Sequence, residues 1–323
     1  MNELEQFLMS ECRICPRKCG VNRLAGEYGY CGQTAEIVAA RAALHYWEEP
    51  CISGTNGSGA VFFTGCNLKC IFCQNAAISE NGRGHEISCE ELCDVFFDLK
   101  KQGAHNINLV TPSHFVPEIR KAILLAKEKG FDLPFVYNSS AYESVETLRV
   151  LDGLIDIYLP DFKYRDSELA RNYSHAADYP EVAGKAIAEM FRQVGAPIFD
   201  TPDSSEDSNR ENDREPLLRR GLIVRHLVLP LGVKNAISVI DYLYDTYKDD
   251  IYLSLMSQYT PLFSSGTLSP EQKKRLAPFP ALHRKVTKRE YDKVLSHCLN
   301  RNITNVFIQE GDVALESFIP EFS

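Results

Sequence analysis

The chain has 323 residues, 44% of them hydrophobic, with 35 Lys and Arg against 44 Asp and Glu for a net charge of −9. That length and composition bury a large core, as one big α/β domain or a domain with small appendages, and exclude disorder as the ruling state. The acidic balance and the lack of any dense basic run exclude phosphate-backbone binding, so no nucleic-acid partner is expected.

In chain order, Met1 to Ser10 is amphipathic and acidic rather than a basic segment leading into a long apolar run. No later stretch approaches membrane-spanning length, so the expectation is a cytoplasmic protein with no membrane partner. In that setting the eleven cysteines read as ligands plus ordinary buried thiols rather than disulfides. Residues 12–31 carry Cys12, Cys15, Cys19 and Cys31 among Pro, Arg and Gly, with little apolar periodicity, and such a segment needs a staple. Ala60 to Thr64 is a short apolar run ending at Gly65, the pattern of a buried strand that delivers its loop to a sheet edge.

Further strands are predicted at 107–110, 134–137, 155–159, 222–229, 251–255 and 305–308. Helices are predicted at 118–129, 145–151, 167–173, 180–193, 233–247 and 288–299, and Cys89 and Cys93 sit four apart on another with Leu92 and Phe96. Residues 199–216 are polar, acidic and apolar-poor, the composition of a mobile surface insertion. The predicted organisation is a cysteine-rich amino-terminal module over 1–50 and an α/β core over 51–323.

Strand alternating with helix builds a parallel sheet, open or curled into a barrel. Working residues in such folds gather at the carboxyl ends of the strands. That rule singles out 65–75, Thr111 to His114, Asn138 to Ser140, Asp161 to Lys163, and Gln258 with Tyr259. Arg225 and His226 lie within a strand, where neighbours point to opposite faces, so one of the two belongs to the packing.

The densest signal is Cys66-x3-Cys70-x2-Cys73. Soft thiolates at this spacing select iron–sulfur clusters, zinc or copper(I). Three ligands for a four-iron cluster leave one iron open to a small molecule.

With the aromatic Phe72 directly before the third cysteine, this loop resembles the signature of the radical SAM superfamily. The longer run from Phe62 to Cys66 and from Cys73 to Asn75 is similar to its pyruvate formate-lyase activating enzyme-like branch. The resemblance implies a partial (β/α)6 barrel in which Cys66, Cys70 and Cys73 hold a 4Fe-4S cluster. The open iron would take S-adenosylmethionine, and reductive cleavage would give a 5'-deoxyadenosyl radical that abstracts hydrogen, with the cofactor doing the hard chemistry. Flavodoxin or ferredoxin is the expected kind of electron donor. Lys163 and Arg225 are implied as catalytic residues, and Asn75, Thr111, Ser113, Asn138, Ser139 and Asp161 as cofactor-binding ones. Two positions depart from the pattern: Val110 to His114 stands where many members carry a Gly-Gly-Glu-Pro run, and Ser58 stands where the glycyl-radical activating signature has an arginine.

Cys12, Cys15, Cys19 and Cys31 supply four ligands and can close a coordination sphere around zinc or a second cluster, with Arg17 and Lys18 near enough to offset its charge; unliganded thiols are the remaining reading. Cys51, Cys89, Cys93 and Cys298 read as structural. His114 reads as satisfying a turn or as a catalytic group, and residues 45–49 as packing the module on the core or lining a substrate mouth. The expected activity is hydrogen abstraction from a protein or peptide, with installation of a glycyl radical the leading case. A small-molecule substrate and a non-catalytic iron–sulfur protein are the alternatives.

Overall fold

A computed structural model of the chain describes residues 3–80, 82–200, 216–262 and 268–309. Its strands are β1 (Ile37–His45), β2 (Ser58–Phe63), β3 (His85–Ile87), β4 (Ile107–Val110), β5 (Phe135–Ser139), β6 (Ile157–Pro160), β7 (Ile198–Phe199), β8 (Leu218–Leu227), β9 (Tyr252–Met256) and β10 (Val306–Ile308). Its helices are α1 (Glu3–Ser10), α2 (Pro50–Ser53), α3 (Ala76–Ser79), α4 (Cys89–Lys101), α5 (Val116–Glu128), α6 (Val145–Arg149), α7 (Ser167–Ser174), α8 (Tyr179–Val194), α9 (Val233–Tyr247), α10 (Pro270–Leu276) and α11 (Lys288–Asn300). Residues 201–215, most of the predicted insertion, lie outside the described residues.

The sheet runs β10-β9-β8-β6-β5-β4-β2-β1-β3, with β7 paired to β8. From β2 to β10 along that order every neighbouring pair is parallel. The sheet is mostly parallel and does not close, as a partial barrel requires. Beyond the six predicted units, β10 extends the parallel run, and β1 pairs antiparallel with β2 and with β3. Thus residues 37–45 belong to the sheet rather than to the cysteine module. Their run of alanines in β1 lacks the β-branched and aromatic enrichment by which strands are recognised.

The period of two divides the strands between two cores. Val61, Phe63, Leu109, Tyr137, Tyr158, Val224 and Leu255 join the helix-side core. Their neighbours Val136, Ile157, Leu159 and Ile223 face the other way and pack on Cys51 and Ile52 of α2. The short helix α2 therefore closes the floor of the inner face, held there by the Asn106 side-chain amide donating to the Ile52 carbonyl at 2.7 Å. Around the outside, α4 begins with a capping box, Ser88 and Glu91 each bonding the other's backbone N–H. It buries Leu92, Cys93, Phe96 and Leu99 at helical spacing, as the sequence suggests. Among the described residues no helix is long and apolar enough to cross a membrane.

Candidate functional site

The loop after β2 turns on Gly65, whose φ of +88° is open to glycine and whose Cβ position lies 2.6 Å from Gln33 Cγ and 2.8 Å from the Cys31 carbonyl oxygen. A side chain here would collide with the amino-terminal module, so the glycine is required twice over. Phe72, before the third cysteine, is buried edge-on between Tyr173 and Tyr259, with ring centroids 6.1 Å away on both sides, and so anchors the loop.

Cys66, Cys70 and Cys73 all line one cavity of about 360 Å³ at the carboxyl ends of the strands. Each sulfur already accepts a hydrogen bond: Cys66 from the Leu68 N–H at 3.3 Å, Cys70 from the Ser174 hydroxyl at 3.0 Å, Cys73 from the Ser79 hydroxyl at 3.4 Å. Burial pushes the Cys70 thiol up to about 12 and the Cys73 thiol up to about 11, with Lys163 and the hydroxyls pulling the other way. Donors aimed at sulfurs that burial would otherwise keep neutral are what a thiolate-ligated cluster needs around it. The three residues fit the group.

Beneath the cysteines, Asp161 and Lys163 at the end of β6 pair at 2.7 Å, and Arg225 of β8 donates to Asp161 at 3.1 Å, to Glu48 at 2.8 Å and to the Asn138 side-chain oxygen at 2.6 Å. Asn108 also donates to Glu48, at 2.9 Å. Burial alone would raise the Asp161 carboxyl, but Lys163 and Arg225 outweigh it and hold it below the usual range. Burial would likewise lower Lys163, and Asp161 with Cys70 raises it instead. The ion pair thus sits inside the cavity and not on the surface.

Of the residues singled out in the sequence, Asn75, Thr111, Asn138, Ser139, Asp161, Lys163 and Arg225 line this cavity with the cysteines. Thr111 does so at φ +59°, a left-handed conformation costly for a β-branched residue and concentrated at functional sites. Ser113 is not among the lining residues: its hydroxyl donates to buried Glu143. His226 faces away from Arg225 and meets the Phe162 carbonyl at 2.7 Å, and His114 donates to the Thr64 carbonyl at 2.7 Å. Both are buried, and burial lowers them to about 4 and about 3 respectively. They are packed neutral imidazoles. Residues 45–49 supply His45, Trp47, Glu48 and Glu49 to the wall of this cavity. The sulfur donors Ser79 and Ser174 escaped the sequence reading, because nothing in a lone serine 104 positions from Cys70 marks it as a partner.

Residues 60–198 match the model described as the Radical SAM superfamily. The match covers less than half of the chain, and over that stretch the sequence is similar to the superfamily. An uncharacterised protein of Methanocaldococcus jannaschii is 25% identical over 316 residues, 94% of this chain and 79% of that one. Among solved structures, SuiB of Streptococcus suis bound to its precursor peptide SuiA is similar at 11% identity and a TM-score of 0.47, over 77% of this chain and 47% of SuiB. The chain therefore spans about half the length of SuiB. A radical SAM methyltransferase from Sphaerobacter thermophilus is similar at 11% identity and a TM-score of 0.49, over 86% of this chain and 79% of that one.

In the amino-terminal segment, Cys12, Cys15 and Cys31 are buried and Cys19 is half-buried. The Cys19 and Cys31 sulfurs both lie 3.4 Å from the point a Cβ on Gly29 would occupy. Among the described residues no three or more His, Cys, Asp or Glu side chains converge at single-ion distances. Arg17 does not face these thiols. Its guanidinium spans to the carbonyls of Asn67 at 2.8 Å and Ser174 at 3.1 Å and lies 4.3 Å from the Tyr30 ring centroid. It ties the module to the cysteine loop.

Proposed function

We propose that this protein is a radical SAM enzyme of the pyruvate formate-lyase activating enzyme-like branch, holding a 4Fe-4S cluster on Cys66, Cys70 and Cys73. A cluster held there, with S-adenosylmethionine bound and one electron from a flavodoxin or ferredoxin, would supply a 5'-deoxyadenosyl radical for hydrogen abstraction. The observation that carries the reading is the set of three sulfurs, each met by its own hydrogen-bond donor, opening on a cavity lined by Asp161, Lys163 and Arg225.

The two cations divide the work. Arg225 uses its Nε and both terminal nitrogens on Asp161, Glu48 and Asn138, so it fixes the lower wall. Among the described residues Lys163 has Asp161 as its one carboxylate partner, and a three-donor ammonium so placed keeps donors for a ligand carboxylate. Asn75, Thr111 and Ser139 offer polar contacts along the upper wall. The target is a protein or peptide C–H bond, with glycyl radical installation the leading case. The closed floor formed by α2 favours a second reading, a small molecule enclosed in the cavity.

The amino-terminal tetrad is proposed to hold zinc or a second cluster. The support is Arg23, only 1% exposed, whose guanidinium donates to the Thr34 carbonyl, to the His114 carbonyl at 2.6 Å and to Cys12. Among the described residues no carboxylate pairs with it. A buried guanidinium demands negative charge nearby, and metal-bound thiolates provide it.

Anaerobic reconstitution tests both parts. Iron and sulfide should appear at four per chain or more, and reduction with S-adenosylmethionine present should yield 5'-deoxyadenosine. Zinc alone at Cys66, Cys70 and Cys73, or no deoxyadenosine, would sink the reading.

A further inference from the structure

Three carboxylates and two fixed cations line the cavity: Glu48, Glu49 and Asp161 against Lys163 and Arg225. The pairing is complete for two of the acids. Asp161 takes Lys163 and Arg225, and Glu48 takes Arg225 with Asn108. Glu49 is left over. It is 7% exposed, the Ser254 hydroxyl serves its carboxyl group, and its buried Oε2 has no hydrogen-bond partner among the described residues. Buried oxygens are satisfied by protein, water or ligand, and an exception at a cavity wall asks for a donor from outside.

Electrostatics points the same way. Burial pushes the Glu49 carboxyl up and the Glu48 charge adds to it, with Arg225 opposing. Counted as ionised, the three carboxylates of the wall outnumber its two cations by one, and a cation entering the cavity would offset the crowding of Glu49 by Glu48. Trp47, 60% exposed, stands on the same wall, and Phe62, Leu227 and Phe307 line the apolar remainder. An aromatic face and an apolar wall beside a carboxylate suit an alkyl stem ending in a cation.

We infer that Glu49 anchors a subsite for the substrate's organic cation, a primary ammonium or guanidinium on a short alkyl chain. This rests on the cavity being the substrate site of the proposed enzyme. The same chemistry is carried by a free aminoalkane and by a lysine or arginine side chain of a peptide.

The test uses the full chain and direct calorimetric titration in physiological salt, with 1-pentylamine, 1-pentanol and a capped Gly-Gly-Lys-Gly-Gly peptide as probes. The amine should bind about tenfold more tightly than the alcohol of equal length, the margin a charge-assisted bond gives. Glu49→Gln should erase that margin. Binding of the peptide at least as tight as that of the amine identifies a peptide source, and weaker binding a small-molecule one; either supports the subsite. Equal binding of amine and alcohol overturns it, as does an unchanged margin in Glu49→Gln, which would make Glu49 a neutral acid. Loss of S-adenosylmethionine affinity in Glu49→Gln as large as the loss for the amine also overturns it, by giving Oε2 to the nucleoside. Should Glu49→Gln fail to fold, the amine-to-alcohol ratio on the unaltered protein decides. Glu49-dependent amine binding in a protein that yields no deoxyadenosine would keep the subsite and sink the functional reading.

Discussion

The two cysteine groups of this chain are built on opposite plans. In the amino-terminal tetrad the sulfurs are served from within their own segment: Cys12 by the Ile14 backbone, Cys15 by that of Arg17, Cys31 by that of Gln33. The triad after β2 draws two of its donors from side chains on α3 and α7, one of them far away in sequence. The first plan is that of a self-contained knuckle, which four ligands can close. The second puts three sulfurs on the wall of a cavity, and in the proposed reading leaves a four-iron cluster one position to spare. In that reading, ligand number and the origin of the supporting hydrogen bonds separate a staple from a reactive centre.

The largest expected effect breaks the two apart. Cys70→Ala should abolish both the cluster absorbance near the visible range and deoxyadenosine formation, while Cys15→Ala should leave cleavage measurable and lower the melting temperature. Loss of cleavage in Cys15→Ala with the fold retained, judged by far-UV circular dichroism, would overturn the assignment of the tetrad to structure. Next comes Arg23→Met, similar in length but uncharged. Removing one partner of a buried charge pair costs about 3–5 kcal/mol, so a metal-loaded tetrad should lose its metal or the module should unfold, read by zinc and iron content against urea denaturation. An unperturbed protein would mean that Arg23 answers no buried negative charge.

How much of this was legible follows from the same contrast. The parallel strands announced themselves as short apolar runs, and Cys66, Cys70 and Cys73 by spacing, because those signals are local. Asp161 and Lys163 were found from the rule that strand ends carry the work, whereas Arg225, inside a strand, was singled out by the family resemblance. Glu48 and Glu49 were visible only as two acids beside a tryptophan. Their role depends on the chain doubling back from β1 through α2 to close the floor, and a strand as alanine-rich as β1 gives no warning of that path. Ser113 followed the strand-end rule and still missed the cavity, because the chain leaves β4 through the left-handed Thr111 into a turn and the Ser113 hydroxyl donates to Glu143.

That buried carboxyl gives the third prediction. Burial raises Glu143 to about 7, against hydrogen bonds from Ser113, Ser139 and Tyr137 that pull it down. The folded state thus holds a proton that the unfolded state releases near the ordinary value of 4.5. The stabilisation is full below that pH and is lost as pH rises toward 7, by up to about 3 kcal/mol. Urea titrations of the chain and of Glu143→Gln should diverge across this window, the variant keeping its stability. His114 and His226 titrate in the opposite sense but are common to both proteins, so they cancel in the difference. Parallel curves would place the Glu143 carboxyl in the ordinary range.

The smallest effect probes the distant donors directly. The Ser174 hydroxyl, itself in contact with the Tyr164 hydroxyl at 2.8 Å, donates to the Cys70 sulfur at 3.0 Å. A hydrogen bond to a ligating sulfur stabilises its negative charge and favours the reduced state, so Ser174→Ala should lower the midpoint potential of the reconstituted protein and slow cleavage without loss of iron. Its cost in stability should stay near 0.5–1.5 kcal/mol, the net worth of one such bond. In the tetrad the matching donors are mostly backbone N–H groups of the segment itself, with the Arg23 side chain also meeting the Cys12 sulfur, and this is the physical content of the contrast. A donor carried on a separate helix is adjustable independently of the ligand loop, whereas a donor two residues away is fixed by the loop's own fold. If Ser174→Ala shifts neither potential nor rate, the triad's sulfurs are held as passively as those of the tetrad, and the distinction between the two sites reduces to ligand count alone.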